Sequence, residues 1–104
     1  MKHEIIKSAV NLNNIEWKLH SFKRMLERGI SRKDVIDAII NGEIIENYPD
    51  DHPFPSCLIM KYISSGAIHV VIAYNEYENK VIIITAYNPD NDIFESDYKT
   101  RRNS

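Results

Sequence analysis

The sequence predicts one α+β domain, with N-terminal helices packed on a curled antiparallel β-sheet of about four strands. Three observations point there. Apolar residues recur at helical spacing through residues 2–42, then switch to the alternating and continuous Ile/Val runs of strands. The strong strand-like runs are joined by turns too short for a crossover, so neighbours must be antiparallel. A chain of 104 residues, 43% hydrophobic and 27% charged, has the ordinary size and balance of one globular domain. Such a chain buries roughly two thirds of its unfolded surface without a metal or disulfide staple.

The elements follow in order. Residues 2–10 suit a short helix with Ile5, Ile6, Ala9 and Val10 on one stripe. The segment Ile15-Glu16-Trp17-Lys18-Leu19 alternates apolar and polar, as a short strand does. Ser21 is placed to cap a helix running to Arg28, with Phe22, Met25 and Leu26 inward and Gly29 as its stop. Ser31 followed by Asp34 has the pattern of a capping box. It opens a helix whose inward stripe is Val35, Ile36, Ile39 and Ile40, and which Gly42 ends.

Strands are then expected at 43–48, 56–63, 67–74 and 81–87. Pro49, Pro53 and Pro55 require a loop between the first two, because proline cannot donate to a sheet ladder. Ser64-Ser65-Gly66 and residues 75–80 supply two turns, and residues 88–104 form a polar tail with room for a terminal helical turn. Alternation puts His69, Val71 and Ala73 on one face of their strand, and Ile68, Val70, Ile72 and Tyr74 on the other. The same rule groups Val81, Ile83, Thr85 and Tyr87, with Ile82, Ile84 and Ala86 opposite. That strand is apolar on both faces and is expected at the sheet's centre.

Several function classes drop out. Cys57 is the sole cysteine, so no internal disulfide can form, which suits a reducing compartment. The first residues lack a signal-peptide pattern, and no apolar run approaches the ~18 residues that span a bilayer. The expectation is a cytoplasmic protein with no membrane partner. His3, His20, His52 and His69 lack metal-ligand spacing, and Gly29, Gly42 and Gly66 make no phosphate-cradling loop. No cofactor is expected, which narrows the field to metal-free acid–base chemistry or plain binding. Net charge is −2, unevenly spread: eight Lys/Arg against four Asp/Glu in residues 1–34, none against five in 35–60, five against six in 61–104. The basic third suits phosphate and the acidic middle a basic partner, unless both are ordinary solvated faces.

The most informative constellation is His20, Arg24 and Arg28. Their spacing stacks them on one helix face, a turn apart, where mutual repulsion calls for an anion such as phosphate. The alternative is a surface face neutralised by Glu27 or by Asp50 and Asp51. His69 lies mid-strand between apolar neighbours, as a satisfied core histidine or as a catalyst if its face opens. Tyr87 ends a strand before Asn88-Pro89-Asp90, as a packing residue or as an acid or stacking platform. Arg101 and Arg102 are a polar terminus that could close over a bound phosphate.

The stretch His20-Ser21-Phe22-Lys23-Arg24-Met25-Leu26-Glu27-Arg28-Gly29-Ile30-Ser31 resembles the H-A-x-x-R-M-x-x-R-G-I-S signature of an uncharacterised prokaryotic domain family related to the RelE, BrnT and MqsR type toxins. Tyr48-Pro49-Asp50-Asp51 through Pro55-Ser56-Cys57-Leu58, His69-Val70-Val71, and Ile84-Thr85-Ala86-Tyr87-Asn88-Pro89-Asp90 match further blocks in order. Ser21 departs from the usual alanine, and Phe94 from an expected tryptophan. The resemblance implies that residues 1–104 are a single RelE-like toxin-related domain whose sheet holds an RNA-binding cleft. It also implies a cognate antitoxin that blocks that cleft, and it carries functional roles to His20, Arg24, His69 and Tyr87, with Arg28 beside them.

Two readings of function result. In the first, the protein is a metal-independent endoribonuclease toxin of a type II toxin–antitoxin system, a hydrolase acting on mRNA, on or off the ribosome. His20 or His69 takes the 2′-hydroxyl proton, Arg24 and Arg28 stabilise the phosphorane, and Tyr87 protonates the leaving oxygen or stacks on a base. Lys23, Arg28, Arg101 and Arg102 are the candidate RNA-phosphate contacts. In the second, a non-catalytic RelE-like module uses the cleft to hold a protein or nucleotide partner. A homodimer is open under either reading.

Overall fold

The computed structural model describes residues 2–64 and 66–102, and the order of elements is that of an α+β fold. Three helices, α1 (His3–Asn11), α2 (Leu19–Glu27) and α3 (Arg32–Asn41), flank a short strand β1 (Ile15–Trp17) and precede β2 (Glu43–Tyr48), β3 (Ser56–Ile63), β4 (Gly66–Asn75) and β5 (Lys80–Tyr87). The sheet has five strands in the order β1-β5-β4-β3-β2. It is therefore mixed and larger than the four-strand antiparallel sheet expected. β2 to β5 form an antiparallel meander, while β1 adds in parallel to β5 at Ile15↔Val81 and Trp17↔Ile83. The centre is β4, not β5: β5 has only a three-residue neighbour on its outer side, and its second half is free for α2. The Ser64-Ser65-Gly66 turn rests on Ser65, which lies outside the described residues. Residues 88–102 form turns and one isolated bridge, Phe94↔Arg101, rather than a helix. Among the described residues, no helix is long and apolar enough to cross a membrane.

Local chemistry explains the helix ends. The Ser31 side chain accepts from the Asp34 amide while Asp34 accepts from the Ser31 amide, a reciprocal capping box at the start of α3. Gly29 takes φ +74° just past α2, its amide bonding to the Leu26 carbonyl and that of Ile30 to Met25, which satisfies the last carbonyls. Ser21 does not cap α2. The N-cap is Lys18, with no side-chain bond, and Ser21 Oγ instead donates to the Ile84 carbonyl at 2.7 Å, tying α2 to β5.

The core lies between the helices and one sheet face. Ile6, Ala9, Val10, Met25, Val35, Ala38 and Ile39 meet Cys57, Ile59, Ile68, Val70, Ile72, Val81, Ile83 and Ala86. Ile5 and Leu26, expected inward, are 43% and 52% exposed, because each helix is covered on a narrower stripe than its apolar residues span. Ile68, Val70, Ile72 and Tyr74 face the helices as alternation predicts. On β5 the alternation breaks. Val71 pairs with Thr85 but Ile72 with Ile83, so Ile84 is an extra residue in a β-bulge. The bulge flips the parity: Val81, Ile83 and Ala86 face the helices, while Ile82, Thr85 and Tyr87 join His69 on the opposite face.

Candidate functional site

The face turned away from the helices carries the polar chemistry. β4 places His69 at the middle of the sheet, and the antiparallel register puts Tyr87 of β5 directly opposite, with ring centroids 5.4 Å apart. Phe94, from the tail beyond β5, packs edge-on against His69 at 4.6 Å and is itself 2% exposed. His69 is fully buried. Its Nε2–H donates to the Tyr98 carbonyl at 2.6 Å, so Nδ1 is left as the unprotonated acceptor. Among the described residues, Nδ1 is the buried side-chain polar atom with no partner. Burial pulls the His69 pKa below its usual value, against the Tyr98 bond that pushes it up, so the ring is neutral near pH 7. Burial likewise raises the Tyr87 phenol, which keeps its proton.

Two guanidinium groups flank this pair. Arg28, just past the end of α2, donates through Nη1 to the Ala86 carbonyl at 2.8 Å and to Thr85 Oγ1 at 3.2 Å, so the helix end reaches the free edge of β5. Arg101 comes back from the tail, lies over the Phe94 ring at 4.9 Å, and grips Glu46 of β2 through Nε (2.7 Å) and Nη2 (3.0 Å). The charges of both arginines act on the Tyr87 phenol, favouring its ionised form, yet burial outweighs them. Tyr48 also donates to Glu46. The Arg101 fork holds the Glu46 carboxyl below the usual carboxylate range.

Of the residues expected to act, the structure thus brings together His69, Tyr87, Arg28 and Arg101. His20, Lys23 and Arg24 stand exposed on α2, and among the described residues no hydrogen bond or ion pair ties them to this cluster. Arg102 turns to Glu95 at 2.9 Å and to the Asn91 carbonyl. Sequence reasoning missed Glu46, Tyr48 and the Tyr98 carbonyl. The alternation of β2 does put Glu46 and Tyr48 on one face. Linking them to His69 requires knowing that β2 and β4 flank β3.

Further along the same face, the loop of residues 49–55 and the ends of β1, β4 and β5 enclose a pocket of roughly 280 Å³. Phe54, Ala73 and Ile82 line it, and the ion pairs Lys18–Glu16 (2.9 Å) and Lys80–Glu78 (3.3 Å) rim it. Chemically, the His69 end offers a neutral base, a protonated phenol and two fixed cations. Among the described residues, no group of three or more His, Cys, Asp or Glu is placed to hold a metal ion.

No curated protein matches the chain. A family model does, over residues 17–88, which takes in α2, α3 and the whole sheet from Trp17 onward but stops before Phe94 and Arg101. The family's description gives it no activity and no tie to toxins. The chain belongs to the DUF4258 family, a domain of unknown function.

Proposed function

We propose that this protein is a metal-independent endoribonuclease with a RelE-like toxin fold, acting on RNA through the His69–Tyr87 face. The observation that carries the reading is the pairing of His69 with Tyr87 across β4 and β5, at 5.4 Å, between Arg28 and Arg101. RNA supplies its own nucleophile. His69 Nδ1 takes the proton of the 2′-hydroxyl, the oxygen attacks phosphorus, and the bond from phosphorus to the 5′-oxygen breaks. Tyr87 returns a proton to that leaving oxygen. The products are a 2′,3′-cyclic phosphate and a free 5′-hydroxyl. Arg28 and Arg101 stabilise the charge that builds on the phosphorane oxygens. The exposed Lys23 and Arg24, beside His20, extend the cationic surface along α2 for the flanking backbone. A cytoplasmic setting and a cognate antitoxin that covers this face belong to the same proposal.

The test is cleavage of a single-stranded RNA in EDTA by the purified protein, alongside induced expression with total RNA resolved on a gel. The expected result is fragments with 2′,3′-cyclic ends, reduced by about 10²–10⁴-fold in Tyr87→Phe. Absence of fragments at equal soluble levels, or activity abolished by chelator, overturns it. One observation favours a second reading, a non-catalytic binding module: His69 is fully closed off and Arg101 is already paired. Under that reading RNA or a protein partner binds, Arg28→Ala weakens binding, and Tyr87→Phe changes nothing measurable in turnover.

A further inference from the structure

The geometry points to Glu46 as an internal stand-in for the substrate phosphate, occupying the Arg101 fork so that tail residues 93–102 stay latched over His69. Four observations lead there. Arg101 presents Nε and Nη2 to both Glu46 oxygens, the same planar two-point grip that a guanidinium gives a phosphate. The tail that carries Arg101 seals His69: Phe94 packs on its ring and the Tyr98 carbonyl accepts a hydrogen bond from its Nε2–H. Among the described residues, further ties of that tail to the sheet include Lys99 to Glu43 at 2.6 Å, Lys99 over the Tyr62 ring, the Tyr62 hydroxyl to the Asp97 carbonyl at 2.7 Å, and Tyr98 beside Gly66. Finally, His69 Nδ1 is buried with no protein partner among the described residues, a polar atom left open to a donor brought by a ligand.

An anion that outcompetes Glu46 for Arg101 removes the bidentate charged clip and leaves Phe94 as the tail's apolar anchor. A phosphodiester can do this, and in RNA the neighbouring 2′-hydroxyl can then donate to Nδ1, so ligand binding and exposure of the base become one event. The identity of the anion rests on the ribonuclease reading. The latch itself does not, and can be observed without any cleavage.

The experiment follows the exchange with water of the His69 Nε2 proton in ¹⁵N-histidine-labelled full-length protein. A single-stranded deoxyoligonucleotide serves as the probe, since it has phosphodiesters but no 2′-hydroxyl and cannot be cleaved by this chemistry. Inorganic phosphate, and chloride at matched ionic strength, are the parallel arms. In chloride the proton exchanges slowly. The oligonucleotide is expected to speed exchange about tenfold, and Glu46→Gln to do so without any ligand, a factor suited to breaking one charged hydrogen-bonded pair. Phosphate reproducing the full oligonucleotide effect would mark a simple anion site, with the latch intact and no role for a nucleic-acid chain.

If Glu46→Gln also loses amide protection in β3 to β5, Glu43→Gln takes its place. That change frees Lys99 of the same tail from β2 and leaves Arg101 untouched, and exchange should still rise. The latch is overturned if exchange is unchanged in a folded Glu46→Gln or Glu43→Gln protein, or if the oligonucleotide does no more than chloride. Cleavage of RNA with no change in exchange would sink the latch and leave the nuclease standing. Opening by the deoxyoligonucleotide with no cleavage of RNA would do the reverse.

Discussion

On the helix side of the sheet, Val70, Ile72 and Ile83 are closed over by Ile6, Met25, Val35 and Ile39, all of them apolar. On the other side, His69 is equally buried, but its cover is a tail held by Arg101–Glu46, Lys99–Glu43 and a histidine-to-carbonyl bond, with Phe94 as its apolar anchor. The same depth of burial thus rests on two kinds of force. Apolar contact is indifferent to salt and to competing ions, and it is distributed over three helices. Ion pairs in partly exposed positions contribute little net stability and are open to competition. A face meant only to fold would be built like the first. A face that must meet a charged ligand and still be dry between encounters is better built like the second.

Two truncations of similar burial separate the two faces most strongly. Ile72→Ala on the helix side should lower global stability by about 4 kcal/mol, since that cavity cannot collapse. Phe94→Ala on the tail side should cost less than the ~3–5 kcal/mol typical of a core phenylalanine, because the tail can come away locally and cap the loss. Denaturant titration measures both. Equal losses, with core amide protection falling in parallel, would make the tail part of the core and erase the distinction.

A smaller effect tests how the helix side delivers a residue to the other face. Gly29 has φ +74°, and a Cβ placed there would meet nothing within 4 Å. Gly29→Ala should therefore cost about 1–2 kcal/mol from the left-handed backbone alone, with no steric addition. Because Gly29 directly follows Arg28, the strained turn should also loosen the Arg28 bonds to Thr85 and Ala86. Chemical-shift changes confined to the end of β5 would report this.

Much of the fold could be read from residue patterns, for identifiable reasons. The Ser31/Asp34 box, Gly29, Gly42 and the three prolines are local signals, and local structure obeyed them. The strands at 43–48 and 56–63 came out as read, because Ile/Val alternation is also local. Three features depend on distant pairing and could not be read. β1 joins β5 across most of the chain, the bulge at Ile84 exists only relative to β4, and Ser21 prefers the Ile84 carbonyl to a helix cap. The bulge matters most for the site. Alternation alone puts Tyr87 on the same face as Val81 and Ile83, whereas the extra residue turns it to His69. The stacked His20 and Arg24 stood out in sequence because their spacing is regular, yet the group that faces His69 is assembled from β2, β5 and the tail, with Arg28 reaching the β5 end.

The smallest effect concerns what the buried histidine costs in acid. The folded-state pKa of His69 lies below that of the unfolded chain, chiefly through burial. Below about pH 6.5 the unfolded state therefore takes up a proton that the folded state refuses, and stability falls as pH drops from there toward the folded value. The loss cannot exceed about 1.4 kcal/mol per pH unit for one site. Glu46, Arg101 and Tyr87 are the titratable groups that face this ring. The stability that the depressed Glu46 carboxyl contributes is lost as pH falls below about 4.3, so its window opens at lower pH than that of His69. His69→Gln, neutral throughout, should flatten the stability profile between about pH 6.5 and the lower folded-state pKa of His69 while leaving the acid limb in place. On the helix side, Ile72→Ala should lower the whole profile without changing its shape. Were His69→Gln to leave the slope between those values intact, the tail would not be holding water away from the ring, and the closed face would have to be reconsidered as an open one.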